Sequence, residues 1–139
     1  AILGNGQTDY HLRGKGARMI KCGIDLLRIS RLAEVDPAIR ARFIRRVYTP
    51  AEIDQAGDDN EALSGIFAAK EAVSKALGTG IGRVSWQDIE ILHAPSGEPV
   101  VTLRGAALEA AQARGLSKWA VSITHEGGMA AAIAVAQGE

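Results

Sequence analysis

Hydrophobic residues recur along this chain with two different spacings. Between residues 29 and 77 they fall three and four apart, the period of a half-buried helix. After residue 84 they fall two apart, the period of a strand. The mostly apolar run over 19–27 predicts a first strand. Ile29, Leu32, Ala33 and Val35, then Ile39, Phe43, Ile44 and Val47, keep helical spacing on either side of Pro37, which breaks or kinks the helix. Thr49-Pro50-Ala51-Glu52 reads as a capping box with proline at the first helical position. Asp58, with Glu61 three residues on, predicts the cap of a long helix from about 59 to 77. Leu63, Ile66, Phe67, Val73 and Leu77 form its buried stripe, and Gly78 ends it.

The second half predicts two hairpins. Ile89 and Ile91 alternate within a strand over 84–92, the cluster Pro95 to Pro99 turns the chain, and Val100 to Leu103 return. An alanine-rich helix over 105–115 ends at Gly115. Strands over 119–125 and 129–136 are joined by Glu126-Gly127-Gly128. With no internal repeat and no linker, the pattern predicts one α+β domain over 19–139, a mostly antiparallel sheet packed on a long helix. Residues 1–18 carry glycines at 4, 6, 14 and 16 without a sustained period, and are set aside as a leader or appended tag ahead of Met19.

Composition narrows the function classes. Hydrophobic residues make up 47% and aromatics only 4%, so the core is aliphatic and a base-stacking surface is not expected. Formal net charge is zero, which argues against a general nucleic-acid binder. The single cysteine, Cys22, excludes an internal disulfide. The longest apolar run, Met129 to Ala136, is too short for the roughly 20 residues of a membrane span, and no secretory signal pattern is present. A cytoplasmic protein without a membrane or nucleic-acid partner is the expectation.

Four features carry candidate chemistry. On the long helix, Glu71, Ser74, Lys75 and Gly78 share a face, with Lys70 at its border. A solvated stripe with one Glu-to-Lys pair explains this spacing; so does a site for a metal and phosphates. Gly78, Gly80 and Gly82 follow the helix rather than precede it, so neither the Walker pattern nor the dinucleotide fingerprint applies. A helix C-terminus repels phosphate, so a phosphate there needs a cation such as Lys75. Asp25 closes the first strand, as a helix cap or, paired in space with Glu71, as half of a two-carboxylate magnesium site. His125 closes a later strand, bonded to backbone or to a ligand. Finally, Arg28, Arg31, Arg40, Arg42, Arg45 and Arg46 crowd 19 residues, with Arg42, Arg45 and Arg46 on one helical face. This stripe is a solvated surface or a dock for an acidic partner.

Together these pieces resemble the holo-(acyl-carrier-protein) synthases, small 4′-phosphopantetheinyl transferases. The matching segments are Gly23-Ile24-Asp25 with Arg31 six residues on, then Phe67 to Gly82, then Asp88 to Ile91 with Gly97 to Pro99, then Val121 to Glu126 and the alanine-rich last strand. The resemblance covers about Cys22 to Ala136. It implies transfer of the phosphopantetheine arm of coenzyme A to a serine of an acidic, helical acyl carrier protein. It implies Asp25 and Glu71 as magnesium ligands, with Lys75 beside them in catalysis. It implies Lys70, Ser74, Lys75, Gly78, Gly80, Gly82 and His125 as coenzyme A contacts. Arg31, Arg42, Arg45 and Arg46 become the carrier dock, and a homotrimer with sites between subunits is expected. Either Glu71 or a water on the metal would take the serine proton. Three positions depart from the common pattern: Lys21 stands where many relatives have glycine, Ile66 where many have arginine, and Arg28 where many have an acidic residue. The rival readings are a non-enzymatic module for acidic proteins, a nucleotide-binding regulator and a magnesium-dependent coenzyme A phosphohydrolase.

Overall fold

A computed structural model describes residues 19–138, so the reading of residues 1–18 as a leader lies outside the described residues. Strand β1 (Ile20–Arg28) leads into the short helix α1 (Ser30–Glu34) and then α2 (Pro37–Val47). The break falls at Pro37, whose missing N–H is harmless at a helix start, and Asp36 accepts the Ala38 amide at 2.8 Å as the cap. Helix α3 (Pro50–Ala56) opens with the expected capping box: Thr49 and Glu52 each accept the other's backbone amide. The long helix α4 (Asn60–Leu77) is capped by Asp59 rather than by Asp58. Asp58 instead pairs with Arg40 at 2.7 Å, while Asp59 accepts the Glu61 amide at 3.1 Å.

After a 3-10 turn over Trp86–Asp88 come β2 (Ile89–His93), β3 (Pro99–Leu103), helix α5 (Gly105–Ala113), β4 (Lys118–Glu126) and β5 (Met129–Gln137). The predicted strand over 84–92 is therefore shorter, because Ser85 caps the 3-10 turn and takes residues 86–88 out of extended geometry. Strands β2 and β3 form an antiparallel hairpin, and β1, β5 and β4 form an antiparallel sheet with β5 in the centre. The α+β architecture read from the sequence is present, with two antiparallel sheets around α4.

Small residues decide how closely α4 approaches the three-stranded sheet. Ala68, Ala69, Ala72 and Ala76 on α4 and Ala130, Ala132, Ala134 and Ala136 on β5 are all buried. Gly23 on β1 is the tightest point. A Cβ there would strike the Ala72 carbonyl and lie 2.8 Å from the Ala76 amide, so only glycine fits. The opposite face of the sheet stays open, with Ile20, Ile24, Leu26, Ile133 and Val135 all exposed.

Candidate active site

The close approach at Gly23 carries β1 onto the last turns of α4. Two residues later on the same face of the strand stands Asp25, paired in register with Ala132. Lys75 of α4 reaches back across this contact, donating to the Ile24 carbonyl at 2.9 Å and to Asp25 Oδ1 at 3.2 Å. Glu71, one turn earlier on α4, is half-buried beside them. Burial pushes its carboxyl above the ordinary glutamate range. The charge of Asp25 pushes the same way, and Lys75 opposes. Two carboxylates thus face a single lysine, leaving a surplus negative charge at a partly exposed edge of the molecule.

That surplus suits a hard divalent cation. Among the described residues there is no group of three or more His, Cys, Asp or Glu side chains able to hold a metal. Magnesium does not require one, since it commonly takes one or two protein carboxylates and completes its shell with water and substrate phosphates. Asp25 and Glu71 therefore fit magnesium shared with a phosphate ligand, and do not form a closed protein cage.

The glycine loop begins at the same end of α4. Gly78 adopts the left-handed conformation at φ 77° and donates its amide to the Lys75 carbonyl at 3.0 Å. Thr79 and Gly80 both donate to the Ser74 carbonyl, at 3.3 and 3.2 Å. Gly80 and Gly82 have positive φ and nothing near their Cβ positions, so the outer side of the loop is open. Asp25, Glu71 and Lys75 thus stand together, and the loop of Gly78, Gly80 and Gly82 starts from the same last turn of α4 that carries Lys75. One cation was not foreseen. The Arg114 guanidinium, at the end of α5, lies 3.8–3.9 Å from the Cβ position of Gly78. No local pattern links residues 78 and 114; only the packing of α5 beside α4 does.

Two expected coenzyme A contacts depart from this picture. The Lys70 side chain is wholly buried, bound to Glu52 at 2.7 Å, to the Trp86 carbonyl at 3.0 Å and to the Ile89 carbonyl at 2.6 Å. Its three donors are spent inside the protein. Burial draws its ammonium below the usual lysine range, against the pull of Glu52. Ser74 is also buried, and its hydroxyl donates to the Glu71 carbonyl at 2.8 Å. Its carbonyl, not its hydroxyl, serves the loop. The signal for Lys70 was in the spacing: Leu63, Ile66, Lys70, Val73 and Leu77 run 3-4-3-4, which puts residue 70 in the middle of the buried stripe.

His125 is not brought to Asp25 and Glu71. It stands on β4, the edge strand opposite β1, paired in register with Ala130 of β5, and its Nε2 lies 3.0 Å from the Glu61 carbonyl in the first turn of α4. Gly65 permits that contact, since a Cβ there would sit 2.8 Å from His125 Nε2. The six residue steps from Gly65 to Glu71 alone span about 9 Å of helix.

On α2, Arg42, Arg45 and Arg46 are all exposed, as is Arg31 on α1. Arg31 also lines an apolar cavity of about 170 Å³ with Leu27, Leu32, Val35, Phe43 and Phe67. The cavity reaches β1 through Leu27, two residues after Asp25.

Residues 21–135 match the family model of the 4′-phosphopantetheinyl transferase superfamily. The chain is 42% identical over 120 residues to the holo-(acyl-carrier-protein) synthase of Natranaerobius thermophilus, covering 84% of this chain and 96% of that protein. It is 43% identical over 122 residues to the synthase of Moorella thermoacetica, covering 86% and 94%. Among solved structures it resembles the Helicobacter pylori synthase in complex with coenzyme A, with a TM-score of 0.75, 35% identity, and coverage of 85% and 99% of the two chains. The Neisseria meningitidis synthase gives a TM-score of 0.76 at 34% identity, covering 85% and 98%. An Asp25–Glu71–Lys75 cluster at a glycine loop, on a fold and sequence shared this widely, places the chain in the holo-(acyl-carrier-protein) synthase family of 4′-phosphopantetheinyl transferases.

Proposed function

We propose that this chain transfers the 4′-phosphopantetheine arm of coenzyme A to a serine of an apo acyl carrier protein, releasing adenosine 3′,5′-bisphosphate, with magnesium held by Asp25 and Glu71. The observation that carries the reading is the pair of carboxylates answered by one lysine at the mouth of an open glycine loop. Relatives named for this activity, one of them solved with coenzyme A, support it. Asp25 and Glu71 would hold the magnesium, which would supply polarisation of the phosphorus and neutralise charge on the leaving bisphosphate. Lys75, about half exposed, turns from Asp25 toward the same charge. Glu71, or a water beside it on the metal, stands where the serine proton must go. Gly78, Gly80 and Gly82 let the nucleotide lie against the loop without side-chain interference. Arg31, Arg42, Arg45 and Arg46 receive the acidic carrier.

The same reading accounts for two remaining features. His125 stands apart from the carboxylates within one chain, and the outer sheet face exposes Ile24 at 65% and Leu26 at 63%. A homotrimer that buries this face and lends His125 to the coenzyme A site of a neighbour resolves both. An I24K/I133K variant is then a monomer by light scattering, and retention of a trimer contradicts this packing. No helix among the described residues is long and apolar enough to cross a membrane, and we place the reaction in the cytoplasm.

The test is intact-protein mass spectrometry of an apo carrier incubated with this protein, coenzyme A and magnesium. One phosphopantetheine added on serine, absent with EDTA, is expected. Free phosphopantetheine with an unmodified carrier would identify a phosphohydrolase instead. No product, with coenzyme A intact, would leave a binding module.

A further inference from the structure

The glycine loop has freedom at its centre and anchors at its ends. Gly78, Gly80 and Gly82 have positive φ, and nothing lies near the Cβ positions of Gly80 and Gly82, so the backbone at these glycines has wide conformational freedom even though Ile81 between them packs against the core. The near end is tied to α4 by the Ser74 and Lys75 carbonyls. The far end returns through Val84, which is buried, and Ser85 into the 3-10 turn. Lys70 meets this returning segment from inside, at the carbonyls of Trp86 and Ile89. Phe67, three residues earlier on α4, packs on the Trp86 ring at a centroid distance of 4.8 Å.

Glu52 fixes the lysine in turn. Its Oε1 accepts the Thr49 amide at 2.8 Å and Lys70 at 2.7 Å, and its Oε2 accepts the Ile91 amide at 2.7 Å. One carboxylate thereby joins the start of α3, the middle of α4 and strand β2. Every donor of the ammonium and both oxygens of the carboxylate are used. Such a saturated buried pair has one low-energy arrangement.

We infer that Lys70 is a positioning residue: paired with Glu52 in the interior, it clamps the chain returning from the glycine loop against α4 and so presets the loop for the nucleotide half of coenzyme A. The loop half of this inference stands on the contacts above; the ligand half rests on the proposed function. A preset loop loses less entropy on binding, so loss of the clamp weakens coenzyme A binding more than it slows the chemical step.

The test compares the full chain with K70M/E52Q, which removes both charges, nearly keeps volume, and leaves an amide oxygen for a backbone amide. Two readouts are taken: amide hydrogen exchange of the free protein, and steady-state kinetics at saturating apo carrier. Exchange over residues 78–89 is expected to rise about tenfold relative to β1 and β5. The KM for coenzyme A is expected to rise about tenfold, with kcat within about threefold. Unchanged loop exchange, or an equal rise over the whole chain, overturns the clamp. A softened loop with an unchanged KM overturns its role toward the ligand. Should the double variant not fold, E52Q alone, which leaves Lys70 on its two carbonyls, carries the same exchange test with a smaller expected rise, and wild-type exchange overturns the clamp. A wild-type chain that transfers nothing defeats the proposed function, while the exchange result still decides the clamp.

Discussion

Two lysines five residues apart on α4 meet carboxylates in opposite settings. Lys70 and Glu52 are both wholly buried and 2.7 Å apart, whereas Lys75 is 51% exposed and lies 3.2 Å from Asp25, itself 18% exposed. The inner pair is saturated by backbone partners and has nothing left to offer a ligand. The outer lysine bonds one carboxylate of two, offsets only part of the charge at Glu71 and borders an open loop. The same residue types thus build a scaffold at one position and a site at the other. Burial and the count of partners decide which, not the identity of the side chains.

The largest expected effect falls on the outer cluster. D25A and E71A each lower magnesium-dependent transfer by at least ~100-fold, the scale of losing one preorganised electrostatic contact, and leave the circular dichroism spectrum unchanged. A D25A enzyme with wild-type turnover would remove Asp25 from the metal.

The inner pair shows its effect in stability. K70A strands Glu52 as a buried charge and destabilises the fold by about 3–5 kcal/mol in a denaturant titration. K75A, at an exposed pair, shifts stability by no more than about 1 kcal/mol. Equal losses for the two lysines would erase the distinction drawn here.

A third comparison separates the two substrates. Charge reversal at Arg42, Arg45 and Arg46 raises the KM for the carrier by about tenfold or more at low salt, and by less as salt rises, with the KM for coenzyme A nearly unchanged. Equal carrier affinity at low ionic strength would move the dock elsewhere.

The smallest effect is a titration. Glu71 is raised by burial first and by the charge of Asp25 second, so D25N lowers its pKa in the metal-free protein, as read by carboxyl NMR. A carboxyl raised in the folded state holds its proton more tightly there than when unfolded. Metal-free stability therefore falls as pH rises from the ordinary glutamate value through the raised one. A Glu71 pKa that D25N leaves in place would mean that the two carboxylates do not sense each other.

Much of this was legible from local pattern. The capping box at Thr49, the end of the long helix at Gly78 and both hairpins follow from short-range rules, whereas the proximity of Asp25, Glu71 and Lys75 comes from packing of β1 on α4. What the sequence concealed depends on contacts distant along the chain. Asp59 rather than Asp58 caps α4 because Arg40, 18 residues before Asp58, takes the other aspartate. Glu52 read as a capping residue and nothing more, since its second partner lies on α4. Gly23 stood out only as part of the Gly23-Ile24-Asp25 segment; that the approach of α4 depends on its missing Cβ follows from a contact between β1 and α4, well separated in the chain. Lys70 was misread for a different reason: its 3-4-3-4 spacing marked it as buried, and its charge suggested the surface.

The most direct test of this division of labour is the mass of an apo acyl carrier protein after incubation with coenzyme A, magnesium and E71A, run beside the wild-type chain. The account predicts a full phosphopantetheine gain with wild type and none above background with a folded E71A protein. Equal gains in the two reactions would contradict it.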